Sequence, residues 1–241
     1  MTSWRKHKYK YLPMALIAFL SIVARLDATE HLPKVLIIGD SIAGGYFSFV
    51  EEGLVGEALL FKPIVIDEKG DSTSCEGTTM GVENIEQWIG EAKWDVIHFN
   101  FGLHDIKHID PETGRNSKNL DHPRQASPNQ YGQNLKKIVR KLKASGANLI
   151  FATTTPYPDE LGRQMRSPGM PKVYNEVALK IMKKNDIAIN DLYTYVLPRM
   201  DELQRRKNVH FTEEGSRALG KMVAKSILDN LEPKETMKVV E

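Results

Sequence analysis

The sequence is poor in cysteine, and this removes two classes of structure. Cys75 is the only cysteine among 241 residues, so no disulfide can form within the chain. No group of cysteines and histidines has zinc-ligand spacing, and the proximity of His98, His104 and His108 does not by itself make a metal motif. The sequence therefore predicts neither a disulfide scaffold nor a metal site, and nothing in it calls for an organic cofactor.

The sequence also has no large excess of positively or negatively charged residues. Lysine and arginine number 33 against 31 aspartates and glutamates, and beyond the first ten positions the basic residues are scattered. Because binding to nucleic acid depends on clustered basic residues that neutralise phosphates, we expect no nucleic-acid partner. A phosphate-binding loop is excluded as well, since the glycine pair Gly44-Gly45 is not followed by Gly-Lys-Ser/Thr.

The longest apolar run of the sequence lies at the N-terminus. Residues 11–24 follow four basic residues and are too few for a bilayer span, which needs roughly 20 apolar residues. This pattern predicts a signal peptide over residues 1–28, cleaved after Ala28 or Ala24, and a secreted or periplasmic protein. A membrane is a partner only if the segment stays uncleaved. Residues 29–233 are expected to form one domain and residues 234–241 a flexible tail.

Along this domain, apolar runs rich in β-branched residues alternate with helical patterns. The predicted strands are residues 35–38, 62–66, 94–101, 147–155 and 187–191. The predicted helices are residues 47–60, 82–91, 129–145, 170–185 and 212–231. Near-continuous hydrophobicity is typical of strands covered on both faces. The alternation predicts an α/β fold, a flavodoxin-like three-layer α/β/α sandwich with a mainly parallel five-stranded sheet. Polar segments 107–128 and 155–170 are expected to be loops that flank the carboxyl ends of the strands.

A serine and a histidine are the candidate reacting pair. Ser41 lies in Ile-Gly-Asp-Ser-Ile-Ala-Gly-Gly (residues 37–44), where the first strand turns into a helix at the sheet edge that binds ligands in such folds. His210 lies just before the last helix. Histidine is the usual base for a serine nucleophile, so the pair predicts acyl transfer. The alternatives are that Ser41 caps a helix and that His210 is a surface side chain.

Three motifs together resemble the SGNH (GDSL) hydrolase superfamily over residues 34–231. They are Gly39-Asp40-Ser41, Gly102-Leu103-His104-Asp105 and Val209-His210-Phe211-Thr212. The resemblance implies that Ser41 is the nucleophile and also an oxyanion donor through its backbone N–H, and that His210 is the base. It further implies a glycine N–H as second oxyanion donor, for which Gly77 is the best match and Gly70 and Gly81 are rivals.

The first departure from the family pattern concerns the third oxyanion donor. His104 stands where asparagine is expected. An imidazole N–H can donate to an oxyanion, so the role is chemically retained. Asn100 is a substitute donor, and a loop histidine braced by Asp105 is the alternative without catalytic meaning.

The second departure concerns the acid that orients the base. Lys207 occupies the position of the family's aspartate, and lysine cannot accept a proton from imidazole. A Ser-His dyad is therefore expected, with the Asn208 side chain or a backbone carbonyl fixing the imidazole. Asp201 or Glu202 could supply an acid if the loop folds back.

The sequence thus predicts a secreted serine ester hydrolase, acting on O-acetyl or other acyl esters of carbohydrates or small molecules. Tyr46 and Tyr157, in predicted rim loops, are candidates for stacking on a sugar. The alternatives are an O-acyltransferase and a catalytically silent carbohydrate-binding protein, the latter motivated by Lys207 and His104.

Overall fold

Five parallel strands form the central sheet of this protein. The computed structural model describes residues 32–66, 72–162 and 165–231. The strands of this sheet are β1 (Lys34–Ile38), β2 (Leu59–Phe61), β5 (Val96–Phe99), β6 (Asn148–Ala152) and β7 (Ala188–Asn190). They pair in the order β2-β1-β5-β6-β7. Two short strands, β3 (Val65–Ile66) and β4 (Ser72–Thr73), form a separate antiparallel pair. The predicted parallel five-stranded sheet is confirmed.

Helices connect the strands and cover the sheet. They are α1 (Ser41–Gly53), α2 (Thr78–Ile89), α3 (Pro128–Ala144), α4 (Met170–Lys184), α5 (Leu192–Val196), α6 (Met200–Leu203) and α7 (Glu213–Asp229). Helix α1 leads towards β2 on one side of β1, whereas α2, α3 and α4 lead towards the other edge. Right-handed crossovers therefore put α1 on one face and the other three on the opposite face. Helix α7 packs on α1, which completes the predicted three layers.

The interior of the sheet is apolar, as expected for strands buried on both faces. Phe99 on β5 and Phe151 on β6 are fully buried and pack edge to face, with ring centroids 5.4 Å apart. His98, which precedes Phe99 on β5, is also fully buried, and its Nε2 lies 3.2 Å from Asn190 Nδ2. Burial lowers the pKa of His98 to about 3, so this imidazole is neutral and belongs to the core.

One predicted strand was misplaced. The second strand of the central sheet is Leu59–Phe61, whereas residues 62–66 were predicted, and Val65–Ile66 pairs elsewhere. Helix α1 ends at Gly53, before a turn in which Gly56 adopts a φ of +78°. The helix thus stops seven residues earlier than predicted, and the freed residues supply the strand.

The strand order creates a crevice at one edge of the sheet. Counted along the chain, the central strands lie in the order 2-1-3-4-5, so successive connections diverge between β1 and β5. Ligands of open α/β folds bind at the carboxyl ends of the strands at this point. Ser41 follows β1, and the loop of residues 100–127 follows β5. The backbone thus brings the first two motifs to one place.

No helix within the described residues has the length and apolar character needed to cross a membrane. The predicted signal peptide, residues 1–28, and the predicted tail, residues 234–241, lie outside the described residues.

Candidate active site

Ser41 and His210, 169 positions apart in sequence, are hydrogen-bonded in the fold. Their Oγ and Nε2 atoms are 3.0 Å apart. Ser41 is the first residue of α1, but the helix is capped by Asp40, whose carboxylate accepts the N–H of Ile42 at 2.9 Å. Because Asp40 takes the capping role, the exposed Ser41 hydroxyl is left to face the imidazole.

A tight loop before α7 holds His210 in place. Thr212 caps α7 by accepting the N–H of Gly215 at 3.0 Å, which fixes the start of the helix three residues after the histidine. On the other side, the N–H of Arg205 donates to the carbonyl of His210 at 2.9 Å. Lys207, at the turn of this loop, has a φ of +52° and forms an ion pair with Glu160 at 2.8 Å. The lysine therefore points to a carboxylate and not to the imidazole.

Asn208 determines the protonation pattern of His210. Its Oδ1 accepts the backbone N–H of His210 at 3.0 Å, which identifies this atom as the carbonyl oxygen of the amide. The same oxygen lies 2.9 Å from His210 Nδ1, so Nδ1 must carry the proton. In the neutral ring Nε2 then has a free lone pair directed at Ser41, which is the tautomer that a general base requires.

The environment also keeps the base neutral. Partial burial lowers the pKa of His210 below its usual value of 6.5, and the nearby charges of Arg205 and Arg166 act in the same direction, while Asp40 opposes them. A neutral imidazole is the form that can accept the serine proton at neutral pH.

His104 lies beside this pair and has its own positioning partner. Lys107, which is buried, places its Nζ 2.8 Å from His104 Nδ1. An amine donates through its N–H groups, so Nδ1 accepts and the proton of the neutral ring lies on Nε2. Glu76 Oε2 is 3.5 Å from the same Nδ1, beyond normal hydrogen-bonding distance. His104 thus presents an N–H donor at the position where the family pattern has an asparagine amide.

Asp105 hydrogen-bonds to Thr78 at the start of α2 and not to His104. Its carboxylate accepts the backbone N–H of Thr78 at 2.9 and 3.1 Å and also the Thr78 hydroxyl. It thereby caps α2, since Gly77 at the N-cap has no side chain to do so. A Cβ on Gly77 would lie 3.2 Å from the Asp105 carboxyl carbon and 3.0 Å from the Gln125 amide nitrogen. Only glycine fits there comfortably, and Gly77 is held against the His104 loop.

Among the described residues, no hydrogen bond joins the other candidates to Ser41 or His210. The N–H of Gly81 donates to the Gly77 carbonyl within α2, so Gly81 is not an oxyanion donor, and Gly70 lies outside the described residues. The Asn100 amide donates to the Ala152 carbonyl at 2.7 Å. Asp201 and Glu202 are exposed on α6.

The neighbouring histidines and the two tyrosine candidates lie in separate environments. His108 Nδ1 donates to the His122 carbonyl at 2.6 Å, in a different place from His98. Within residues 32–66, 72–162 and 165–231 no cluster of side chains could hold a metal ion. Tyr46 and Tyr157 are 2% and 4% exposed, so neither presents a ring face for a sugar, which corrects the expectation that they line the rim.

A cavity of about 440 Å³ opens beside Ser41. His104, Asn208 and His210 line it, as do two residues that the sequence did not single out, Lys107 and Arg166; Gly77 does not. Lys107 lies three positions after His104, and this spacing was the one signal that could have identified it. A larger groove of about 670 Å³ between α3 and α4 is lined by none of the candidate residues.

Comparison with known proteins gives a family match and several structures of similar fold. Residues 37–218 match the GDSL-like lipase/acylhydrolase family. A search of curated proteins found no match. Among solved structures, a lipase/acylhydrolase from Enterococcus faecalis is 20% identical with a TM-score of 0.66, covering 85% of this chain and all of that one. An acetyl xylan esterase is 17% identical with a TM-score of 0.61, covering 80% and 99%. A GDSL-like lipase from Bacteroides thetaiotaomicron is 13% identical with a TM-score of 0.60, covering 89% and 98%. At these identities the likeness demonstrates the fold.

Proposed function

Since this chain belongs to the GDSL-like lipase/acylhydrolase family of ester-cleaving hydrolases, we propose that it is a serine esterase whose reaction is carried by Ser41 and His210. The observation that supports this most directly is the 3.0 Å contact between Ser41 Oγ and His210 Nε2, with Nδ1 held by Asn208. A serine, a correctly protonated base and a residue that orients the base are the parts that nucleophilic acyl transfer needs.

In the proposed reaction His210 Nε2 takes the proton of Ser41 as Oγ attacks the ester carbonyl carbon. The oxyanion that forms receives hydrogen bonds from the N–H groups of Ser41 and Gly77 and from His104 Nε2–H. The imidazolium then passes its proton to the departing alcohol oxygen, leaving an acyl-serine. Water, activated by the same nitrogen, releases the carboxylic acid and restores the serine.

We further propose that the substrate is a small acyl ester, such as an O-acetyl group on a carbohydrate, and that the protein acts after export. The cavity combines polar and apolar side chains, so its size of about 440 Å³ favours a short acyl group over a long lipid chain, and its cationic side chains suit a polar alcohol. One fold relative is an acetyl xylan esterase. The basic and apolar N-terminal pattern supports export. N-terminal sequencing of the protein from the extracellular or periplasmic fraction checks the latter, since an uncut N-terminus would contradict it.

The proposed chemistry is tested by the release of p-nitrophenol from p-nitrophenyl acetate. Ser41→Ala should abolish turnover and labelling by a fluorophosphonate. Ser48→Ala, an exposed serine on the same helix, is the matched control and should leave both unchanged. Retained activity in Ser41→Ala, or a folded wild-type protein that neither turns over nor reacts with the probe, would refute the proposal and favour a silent binding protein.

A further inference from the structure

The cavity beside Ser41 is lined by an excess of positively charged side chains. Three of its lining residues, Lys107, Arg166 and Lys207, carry positive charges, and none of the described lining residues is an aspartate or glutamate. A cleft lined by one sign of charge attracts a ligand of the opposite sign. The net charge of the whole chain is only +2, so this concentration is local.

Two of these cations are built into the site. Lys107 Nζ lies 2.8 Å from His104 Nδ1, and Arg166 Nε donates to the carbonyl of Leu103 at 2.8 Å. Both are buried, at 8% and 5% exposure, and both attach to the same dipeptide beside the nucleophile. Fixed in this way, they lose little conformational freedom when they meet a ligand.

The two cations are also close enough to repel each other. Burial is the main cause that lowers the pKa of Lys107. Glu76 opposes the shift, the charge of Arg166 adds to it, and Asp40 and Asp105 oppose it more weakly. Two partly desolvated cations that line one cavity are costly, and an anion bound in that cavity lowers the cost.

The carboxylates near the cavity lie outside its described lining. Glu160 pairs with Lys207 at 2.8 Å and neutralises the cation at the rim. Glu76 and Asp40 lie near the other two but do not line the cavity, and Asp40 is engaged in capping α1. The cationic wall is therefore that of Lys107 and Arg166.

Building on the esterase function proposed above, we infer that this cavity selects esters that carry a carboxylate in the same molecule, held by Arg166 and Lys107. An acylated sugar acid has this chemistry. The planar guanidinium of arginine matches the geometry of a carboxylate. The acidic group provides binding, whereas Ser41 and His210 provide the reaction.

Two pairs of substrates test this inference and locate the charge. The first pair is 4-acetoxybenzoate and its neutral methyl ester, which differ by a carboxylate on the alcohol side of the ester. The second pair is the monoester of glutaric acid with 4-nitrophenol and the neutral 4-nitrophenyl pentanoate, which differ by a carboxylate on the acyl side. Spontaneous hydrolysis is subtracted for each. In the first pair the neutral substrate has the better leaving group, so a preference for the charged one must come from binding. We expect kcat/KM to favour the charged member of at least one pair by about tenfold, the effect of one good charge-assisted contact.

The variants are compared by the ratio of kcat/KM for the charged and neutral members, which is insensitive to partial loss of folded protein. Arg166→Gln should lower that ratio about tenfold, and Arg166→Lys should lower it less because the charge remains. Lys180→Gln removes an exposed cation of α4 and should leave the ratio unchanged.

A second measurement needs no variant. Raising the salt concentration from about 0.01 M to 1 M shortens the screening length from about 30 Å to 3 Å, so the preference for the charged substrate should shrink. Equal kcat/KM within both pairs, or a preference that persists in Arg166→Gln, would overturn the inference. Turnover of the neutral esters that still requires Ser41 would meanwhile leave the esterase function intact.

Discussion

At the scale of single residues, one side chain compensates for an unfavourable substitution near the base. Lys207 stands where an acid is expected, and it turns away to Glu160. Asn208 accepts both the backbone N–H and the Nδ1–H of His210 through one oxygen. An amide oxygen thus orients the imidazole without adding a negative charge.

The absence of that charge leads to a prediction on pH dependence. Because burial lowers the pKa of His210, the neutral base persists below its usual titration range, and kcat/KM should fall only when the pH drops below 6.5. Asn208→Asp puts a carboxylate near Nδ1, which favours the imidazolium and raises the pKa. The acid limb of the pH profile should therefore move to higher pH.

Asn208→Ala is the companion variant. It removes the acceptor for Nδ1–H, so we expect kcat to fall about tenfold to a hundredfold, less than the full 10²–10⁴ of general base catalysis. A pH-rate series on the three proteins measures both effects. An acid limb that stays in place in Asn208→Asp would contradict the assigned contact.

A second prediction concerns His104 as an oxyanion donor. His104→Ala should lower kcat by about 10²–10³, the usual cost of losing one such donor, with little change in KM. His104→Asn restores an N–H donor and should recover part of that loss.

Lys107→Met tests how His104 is positioned. Without the amine, His104 Nδ1 loses its 2.8 Å donor and the other tautomer becomes accessible, so kcat should fall by a smaller factor than in His104→Ala. Equal kcat values for wild type and His104→Ala would contradict the assignment of His104 to the oxyanion hole.

At the scale of elements, the start of α2 depends on a loop that follows a different strand. The helix begins at Thr78 after a glycine, and its capping acceptor is Asp105, 27 residues later. This contact ties the Gly77 loop to the His104 loop, so that helix stability and site geometry are linked.

Asp105→Ala should therefore be destabilising. It leaves the buried N–H and hydroxyl of Thr78 without their acceptor, which costs about 1–3 kcal/mol in the free energy of unfolding. Urea denaturation followed by circular dichroism measures this loss. Asp121→Ala, an exposed aspartate in the same loop, is the control and should change stability by less than about 0.5 kcal/mol.

At the scale of the whole molecule, the sheet is stabilised by its apolar interior and its carboxyl edge carries the chemistry. Phe151 is fully buried on β6 and contacts Phe99 on β5. Phe151→Ala should lower the free energy of unfolding by about 3–5 kcal/mol. Val173→Ala, 39% exposed on α4, should have little effect. If the remaining folded Phe151→Ala protein had a greatly altered kcat/KM, the separation of core and site would be wrong.

Local pattern was sufficient for most of the elements and insufficient for one strand. The runs that became β1, β5 and β6 are buried and β-branched or aromatic, so their burial follows from composition. Leu59–Phe61 was missed because its residues continue the apolar pattern of the preceding helix α1. The turn at Gly56, which separates the helix from the strand, depends on packing.

Sequence alone determined the fold class and the family and predicted that Ser41 and His210 form a pair, because periodicity and short motifs are local properties of the chain. Tertiary structure decided which groups support that pair. The contacts of Asn208 with His210 and of Lys107 with His104 each lie within one loop, but the fold decides that these two loops meet beside Ser41 and that Arg166 from a third segment joins them. Such contacts are set by how the carboxyl ends of the sheet converge, and no spacing along the chain encodes that convergence.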